Sequence, residues 1–584
     1  MRQNKIYFHN FRFLIFLFYS FYCPVILAQK KLSINCIDDK KINKQLQKTT
    51  SLSVTLDQAR LRGKQCVVAL HKKGYLLARI DTILESNEQI IVNVQAGNLF
   101  KWGNLKLGKS SKEILVETGL SKAIQSNSYF KPNEYAAIQN KIIEWCENNG
   151  HPFASIYLDS IIVQRDTINA VLIVNLNKKI SIDSLVINGN SGIKKKFLEN
   201  YLEIKQGNFY SEKKIKVIGT KLKQLPYIKE MKPTAFYMDD INNKIIFYLD
   251  KKNSSQFDGI IGILPTDGGK TIFTGDVKIK LQNLLLKSGE NLEINWRRLM
   301  TQTQDLKAKI AYPFLFRSKL GGEYAIKLYK RDSLFIDVHQ NFALNYLFNG
   351  LNSIKAIFKN RNSSILSVSG LESLSVLPEY ADVKVQSYGL GFSFEQLDYR
   401  FNPKSGISIN QQAVIGNRTI KKNSAIKESL YNNLTLKSTQ YQLELDLSSY
   451  SKLGKKSCLK NAIQFGSIGG NKIFKNELFR IGGNKSIRGF DEESIFCSTY
   501  VIYTLEYRFL FEENSNLFLF SDWAWYENTS GPKSINDWPK SFGTGINFET
   551  KSGILSLAYA LGSQFNNRID LRTGKIHFGL VSLF

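Results

Sequence analysis

The sequence predicts three small α+β repeats followed by an antiparallel transmembrane β-barrel of about sixteen strands. Three observations carry that expectation. A helix, a sharp stop and two strands recur in the N-terminal half, with the stops at Gly74, Gly150 and Pro226, 76 residues apart each time. Beyond Lys252 the helical patterns end, and apolar and polar residues alternate at period two. The chain closes on such an alternating segment, and its last residue, Phe584, is aromatic.

The first residues read as an export signal covering 1–28. Arg2, Lys5 and Arg12 flank or precede an apolar run, Phe13–Ala28, with Ala28 as the cleavage residue. Pro24, Ser20 and the short run argue against an anchoring helix, and no later stretch of about 18 apolar residues follows. Cys23 lacks the small-residue surroundings of a lipid-anchored leader. The other five cysteines are scattered without a CxxC, so neither a disulfide framework nor a zinc site is indicated. With five isolated histidines, no metal and no cofactor is expected, and no Ser-His-Asp set points to an enzyme. The net charge of +29 is spread along the chain without a nucleic-acid motif. It suits anionic lipid head groups better.

The repeats occupy Ala69–Gly97, Ile142–Lys179 and Gly219–Lys252, and the module boundaries are read as 29–97, 98–178 and 179–252. In the third, Ile180–Asn188 alternates as a strand and Gly189 turns the chain. Gly192–Ile204 is an amphipathic helix. Ser211 is placed to cap a second helix running to Leu225, and Pro226 stops it. In the second, Pro132 opens a helix and Gly150 closes it. Cys66 and Cys146 fall in helical patterns as core residues. The first module is least defined at its start, around Leu32–Gln47. The stretches "NNGHPFASI" (Asn148–Ile156) and "IDSLVINGN" (Ile182–Asn190) resemble POTRA domains. That resemblance implies periplasmic modules that hold client chains by adding them as an extra strand to a sheet edge.

The barrel is read over 253–584. In "NLEINWRR" (Asn291–Arg298), Leu292, Ile294 and Trp296 share one face and the polar residues the other. "QYQLELDL" (Gln440–Leu447) and "QSYGLGFSFEQ" (Gln386–Gln396) repeat the pattern. Charged residues set opposite aromatic ones over about 330 residues suit lipid outside and water inside. A soluble sandwich would bury its apolar face against a second sheet instead. In the last segment Ile576, Phe578, Leu580, Ser582 and Phe584 share a face. This resembles the C-terminal signal, here Phe578, Leu580 and Phe584, by which outer-membrane barrels are recognised for assembly.

One loop stands apart, "RIGGNKSIRGFDEES" (Arg480–Ser494). A phosphate loop needs a Lys-Ser/Thr pair at fixed spacing and a following helix, and here "DEES" follows instead. A plain reading is a barrel loop whose glycines allow tight turns. A sharper one uses the next two strands, Thr499–Tyr526. Ile502, Thr504, Glu506 and Arg508 would face the lumen, and Asp522 is a lone acid on the neighbour. Arg488, carried back into the lumen, could bridge Glu506 and Asp522. Gly482, Gly483 and Gly489 would let the loop tip turn, and Phe490 would wedge against the wall.

"GG-x-x-S-x-R-G-F", the E-x-R strand at Glu506 and Arg508, and the F-x-D strand at Phe520 and Asp522 together resemble the BamA/TamA family of outer-membrane assembly barrels. So does the hairpin Gly543–Leu561. The resemblance implies a protein that assists insertion or translocation of other proteins at the outer membrane, without an ATP site. Its implied partners are outer-membrane lipid, client β-barrel or secreted polypeptides, and periplasmic accessory proteins. Three modules are fewer than the principal assembly factor usually carries, which favours a TamA-type or specialised member. The alternative is a two-partner secretion translocator for a dedicated client. No plug helix is read before the first module, which lowers that option. The repeats and the loop argue against a passive porin.

Overall fold

The computed structural model describes residues 30–47, 53–120, 128–239, 242–265, 271–298, 303–316, 318–367, 371–399, 402–550, 553–565, 567–569 and 571–583. The export segment and Phe584 lie outside the described residues, as do the side chains of Phe578 and Leu580. The chain divides into two compact units, one running to Ile180 with Phe209–Glu212, the other holding Ser181–Asn208 and everything from Lys213.

The first unit holds two modules of like topology. In the first, the strand Lys30–Cys36 is followed by helices Lys40–Gln47 and Leu56–Lys72 and strands Arg79–Glu85 and Gln89–Gln95. Local chemistry sets these starts. Asp39 accepts hydrogen bonds from the amides of Lys41 and Ile42 (2.7 and 3.0 Å). Thr55 and Gln58 form a reciprocal capping box at the second helix. The last strand lies between the other two, parallel to Lys30–Cys36 and antiparallel to Arg79–Glu85. Leu32, Ile34, Ile90, Val92 and Val94 alternate inward under the helices as the core. The second module repeats this with strands Lys101–Leu107, Ser155–Gln164 and Thr167–Asn175. Its long helix starts on Pro132 and buries Ile138, Ile142 and Cys146. Cys146 is fully buried and Cys66 partly so.

The second unit begins with the third module, strands Ser184–Asn188, Ile228–Tyr237 and Lys244–Lys251 with helix Lys195–Leu202. The single second helix expected to run from Ser211 to Leu225 is instead two short ones, Glu212–Lys216 and Ile218–Lys223, broken at Val217. Ile215, Val217 and Ile218 are β-branched and Gly219 follows, so this stretch has low helix propensity. Ser211 donates its hydroxyl hydrogen to Asn148 (2.9 Å). The first helix is also shorter than its pattern, because Glu203 takes a left-handed conformation (φ 59°).

Among the described residues, sixteen strands of 8 to 16 residues, from Gln256–Pro265 to Lys575–Leu583, form one antiparallel sheet in sequence order. A three-residue strand, Ile535–Asp537, extends the outer end of the thirteenth, Asn516–Asn528. Alternation sorts the faces. Tyr388, Leu390, Tyr441 and Leu519 stand exposed on the outside, whereas Thr504, Glu506 and Asp522 are buried inside. The sheet curls until its first and last strands pair, among the described residues at Gln256 with Leu583 and Phe257 with Ser582. Neighbouring pairs are far longer: the first and second strands match from Gln256–Lys280 to Pro265–Thr271.

The third module docks on the barrel's short turns through helix Lys195–Leu202. Phe197 stacks on Tyr201 and meets Phe314 edge-on, each with centroids 5.6 Å apart. Phe314 and Leu347 join the module's core cluster. The turn before the third strand is organised by Glu290, whose buried carboxylate accepts from the amides of Leu286 (2.7 Å) and Ser288 (3.0 Å). Gly289 in that turn has φ 77°, and a Cβ there would lie 2.2 Å from the Phe197 ring. Glu203 accepts from Lys319 Nζ (2.9 Å) and the Asn349 amide (3.3 Å).

Two outcomes follow for this docking. Gly289→Val should loosen the third module, read as faster proteolysis within 184–251 while the barrel stays resistant. Burial opposes ionisation of Glu203, but Lys319 outweighs it and holds the carboxyl below the usual range. A depressed folded value gives a contribution present above the unfolded value, about 4.3, and lost as pH falls through the folded one. Proteolysis should therefore be constant from about pH 7 to 5 and rise below about pH 4, and Glu203→Gln should flatten that rise.

Candidate functional site: a lumenal loop anchored by buried charge

The eleventh and twelfth strands, Ser457–Gly470 and Thr499–Leu510, are joined by the loop 471–498. The loop contains a small hairpin, Phe479–Ile481 paired with Ile495–Cys497. Ile487 is fully buried and packs with Ile481, Ile495, Cys497, Ile502, Ala524 and Tyr526, so the loop has an apolar core against the barrel wall. Gly482 and Gly483 have φ of 115° and 94°. Added Cβ atoms there would lie 2.5 Å from the Asp491 carbonyl and 2.2 Å from Glu492. The two limbs can approach this closely because neither glycine carries a side chain.

At the tip, three charged groups meet. Arg488 donates from Nε and Nη2 to the two oxygens of Asp522 (2.9 and 2.7 Å). Its Nη1 donates to Glu506 (2.7 Å). Its backbone amide also donates to Asp522 (3.2 Å). Asp522 is fully buried and further accepts from the Thr504 hydroxyl (2.8 Å). Arg508 supplies the second cation, donating to the other oxygen of Glu506 (2.7 Å). Two guanidinium groups thus face two carboxylates, and Lys460 of the eleventh strand, opposite Glu506 in the register, adds a further positive charge. The Arg488 guanidinium also lies 3.5 Å from the centre of the Phe520 ring. Gly489, φ 83°, leaves no room for a Cβ, which would sit 2.7 Å from the Gly562 amide nitrogen. Phe490 is half-buried beside that glycine.

A second cluster, not singled out from the sequence, holds the root of the loop. Arg418 on the ninth strand is 1% exposed and grips both oxygens of Glu477 (2.7 Å each). It also donates to the carbonyls of Asn471 and Lys472. Gln440 completes the shell of Glu477 (2.9 Å). Arg361 pairs with Asp337 through two bonds (3.0 and 2.8 Å) and reaches the carbonyls of Asn476 and Glu477. The available signal was positional: Arg361 and Arg418 sit at lumen-facing places in their alternating strands.

The backbones of Phe578 and Leu580 lie in the last strand, opposite Leu557 and Leu555. They are therefore far in sequence from the loop but on the strand that borders the seam.

The sequence model of the Omp85 superfamily domain matches residues 293–584, half of the chain. The chain belongs to the Omp85 superfamily. An Omp85 barrel is an outer-membrane β-barrel, and the matched segment contains the loop, both charge clusters, thirteen of the sixteen strands and most of a fourteenth. Among solved structures, this Omp85 chain is similar to CdiB from Acinetobacter baumannii, at 13% identity and TM-score 0.53, over 94% of this chain and 100% of the other. It is also similar to CdiB from Escherichia coli, at 11% identity and TM-score 0.51, over 90% and 97%. A Haemophilus ducreyi BamA lacking POTRA domains 1-3 matches at 15% identity and TM-score 0.41, over 83% and 100%. At these identities the likeness is one of fold. No curated protein sequence matches the chain.

Truncating Arg488 leaves two carboxylates without their main partner. Arg488→Ala should cost about 3–5 kcal/mol, read as a lower unfolding midpoint of the heat-modifiable band. Arg488→Lys should recover only part, because an ammonium cannot span both acids with paired bonds. Unchanged midpoints in both variants would contradict the assignment.

Proposed function

We propose that this Omp85 barrel assists the insertion of client β-barrel or secreted polypeptides into or across the outer membrane, with its three modules in the periplasm. The observation that carries this reading is the seam. Strands that otherwise match along their length meet across the first and last positions at two residue pairs. A closed barrel has no free edge, and a seam this short provides one on opening. A client strand can then pair where the first strand leaves the last.

The modules fit the same chemistry. In each, the strand after the helices lies at a sheet edge: Arg79–Glu85, Ser155–Gln164 and Ile228–Tyr237. In the second module that edge strand exposes Tyr157, Ile161, Ile162 and Val163. In this reading Arg488, Gly489 and Phe490 form the tip of a loop that keeps the lumen ordered while the seam works. Phe578, Leu580 and Phe584 form the stretch by which the chain itself is recognised for assembly. No step draws on a nucleotide, so the free energy comes from client folding.

Depletion of the protein followed by an inventory of the outer membrane tests this. Loss of many β-barrel proteins is the expected result. Loss of one secreted protein, with the barrels at normal levels, would replace this reading with that of a translocator for a dedicated client.

A further inference from the structure

The acidic run after the loop tip, "DEES" from Asp491 to Ser494, has no part in the Arg488 cluster. Its contacts fall on both sides of the seam. On the side of the last strand, Asp491 pairs with Lys575 (2.9 Å), and the Gly489 amide donates to Nε2 of His577 (3.2 Å). On the other side, Glu493 pairs with Arg297 of the third strand (3.2 Å) and lies 3.7 Å from Lys307 of the fourth. Arg480, from the loop's own rising limb, closes on the same carboxylate (3.2 Å) and stacks 3.6 Å from the centre of the Tyr329 ring on the fifth strand.

The five residues Gly489–Glu493 therefore pass from the sixteenth strand to the third, across the inner face of the first and second. Between the loop and the wall lies a cavity of about 620 Å³, bordered by Asp258, Asp276 and Lys278 of those two strands. The backbone joins the sixteenth strand to the first at two positions. The loop spans the same junction with side chains, reaching the sixteenth strand, which is paired along the fifteenth, and the third, which is paired along the second and fourth.

We propose that Asp491 and Glu493 make this segment a strap across the seam, holding the first and last strands together from the lumen side until a client displaces it. The two ends differ in strength. The Asp491–Lys575 pair is largely exposed and contributes little, whereas Glu493 is enclosed by three cations with side chains mostly out of solvent. Glu493 therefore carries the hold, and Asp491 with His577 sets its position on the last strand. The acids are also what a client would compete with. Releasing them frees the strap while Arg488 stays on Glu506 and Asp522.

This inference rests on the seam being where the barrel opens, but its test does not require a client. Amide hydrogen exchange is measured on the purified full chain in lipid nanodiscs, comparing wild type with Asp491→Asn plus Glu493→Gln. Amides of Gln256–Gly259 and Gly579–Leu583 should exchange at least about threefold faster, and those of the sixth to ninth strands should not change. Equal rates at the seam in the folded double variant would overturn the strap, whatever the outer-membrane inventory reports. Should that variant fail to fold, Glu493→Gln alone serves, with Asp491→Asn as its control. Faster seam exchange in Glu493→Gln, larger than in Asp491→Asn, supports the strap, and wild-type seam exchange in Glu493→Gln overturns it. Faster seam exchange with an unaltered inventory after depletion would leave the strap standing and remove the proposed function.

Discussion

The barrel depends on a buried arginine shared by two carboxylates. Neither Glu506 nor Asp522 can stay charged inside the wall without a partner, because taking an ion out of water costs several kcal/mol. The partner does not come from the wall alone. Arg488 arrives on a loop, and it reaches both acids only if the loop folds back into the lumen. The requirement to neutralise two wall residues therefore fixes the path of 28 residues of chain. Glycines at 482, 483 and 489 then become necessary, since each lies where a Cβ would overlap backbone or a neighbouring side chain.

The loop is held by a separate cluster as well. Glu477 is enclosed by Arg418, Gln440 and the Phe474 amide, and Asn476 bonds to Ser363 and Ala381. The root is thus fixed to the seventh to tenth strands and the tip to the twelfth and thirteenth. Those strands are paired along nearly their full lengths and form the rigid side of the barrel. The seam lies outside that set, between the sixteenth and first strands, where pairing is short. Rigidity on one side and a short ladder on the other are what a barrel needs to open without unfolding. Docking of the third module on the turns near the second to seventh strands adds a fixed point beside the seam.

Much of this architecture was legible because a transmembrane barrel faces two solvents. Lipid outside and water inside impose period two on every strand, and no helix competes with that pattern. Arg488, Glu506 and Asp522 could be picked out because a lone acid in an apolar strand and an arginine between glycines are both unusual. The root cluster was not legible for the converse reason. Arg361 and Arg418 are two of many polar residues facing the lumen, and Glu477 is 59 residues from Arg418 in sequence. Only the register of the strands brings them together. The strap contacts were hidden in the same way, since Asp491 and Lys575 meet only because the sheet closes. In the third module Pro226 marks where the second helix ends, but the β-branched Ile215, Val217 and Ile218 break that helix before it gets there.

Arg488 and Asp522 are coupled to each other rather than independently useful. A double-mutant cycle with Arg488→Ala, Asp522→Ala and both together, read by the midpoint of guanidinium unfolding in detergent, measures that coupling directly. An interaction energy of about 2 kcal/mol or more is expected, with the double variant less destabilised than the sum of the singles. Additivity within about 0.5 kcal/mol would contradict it.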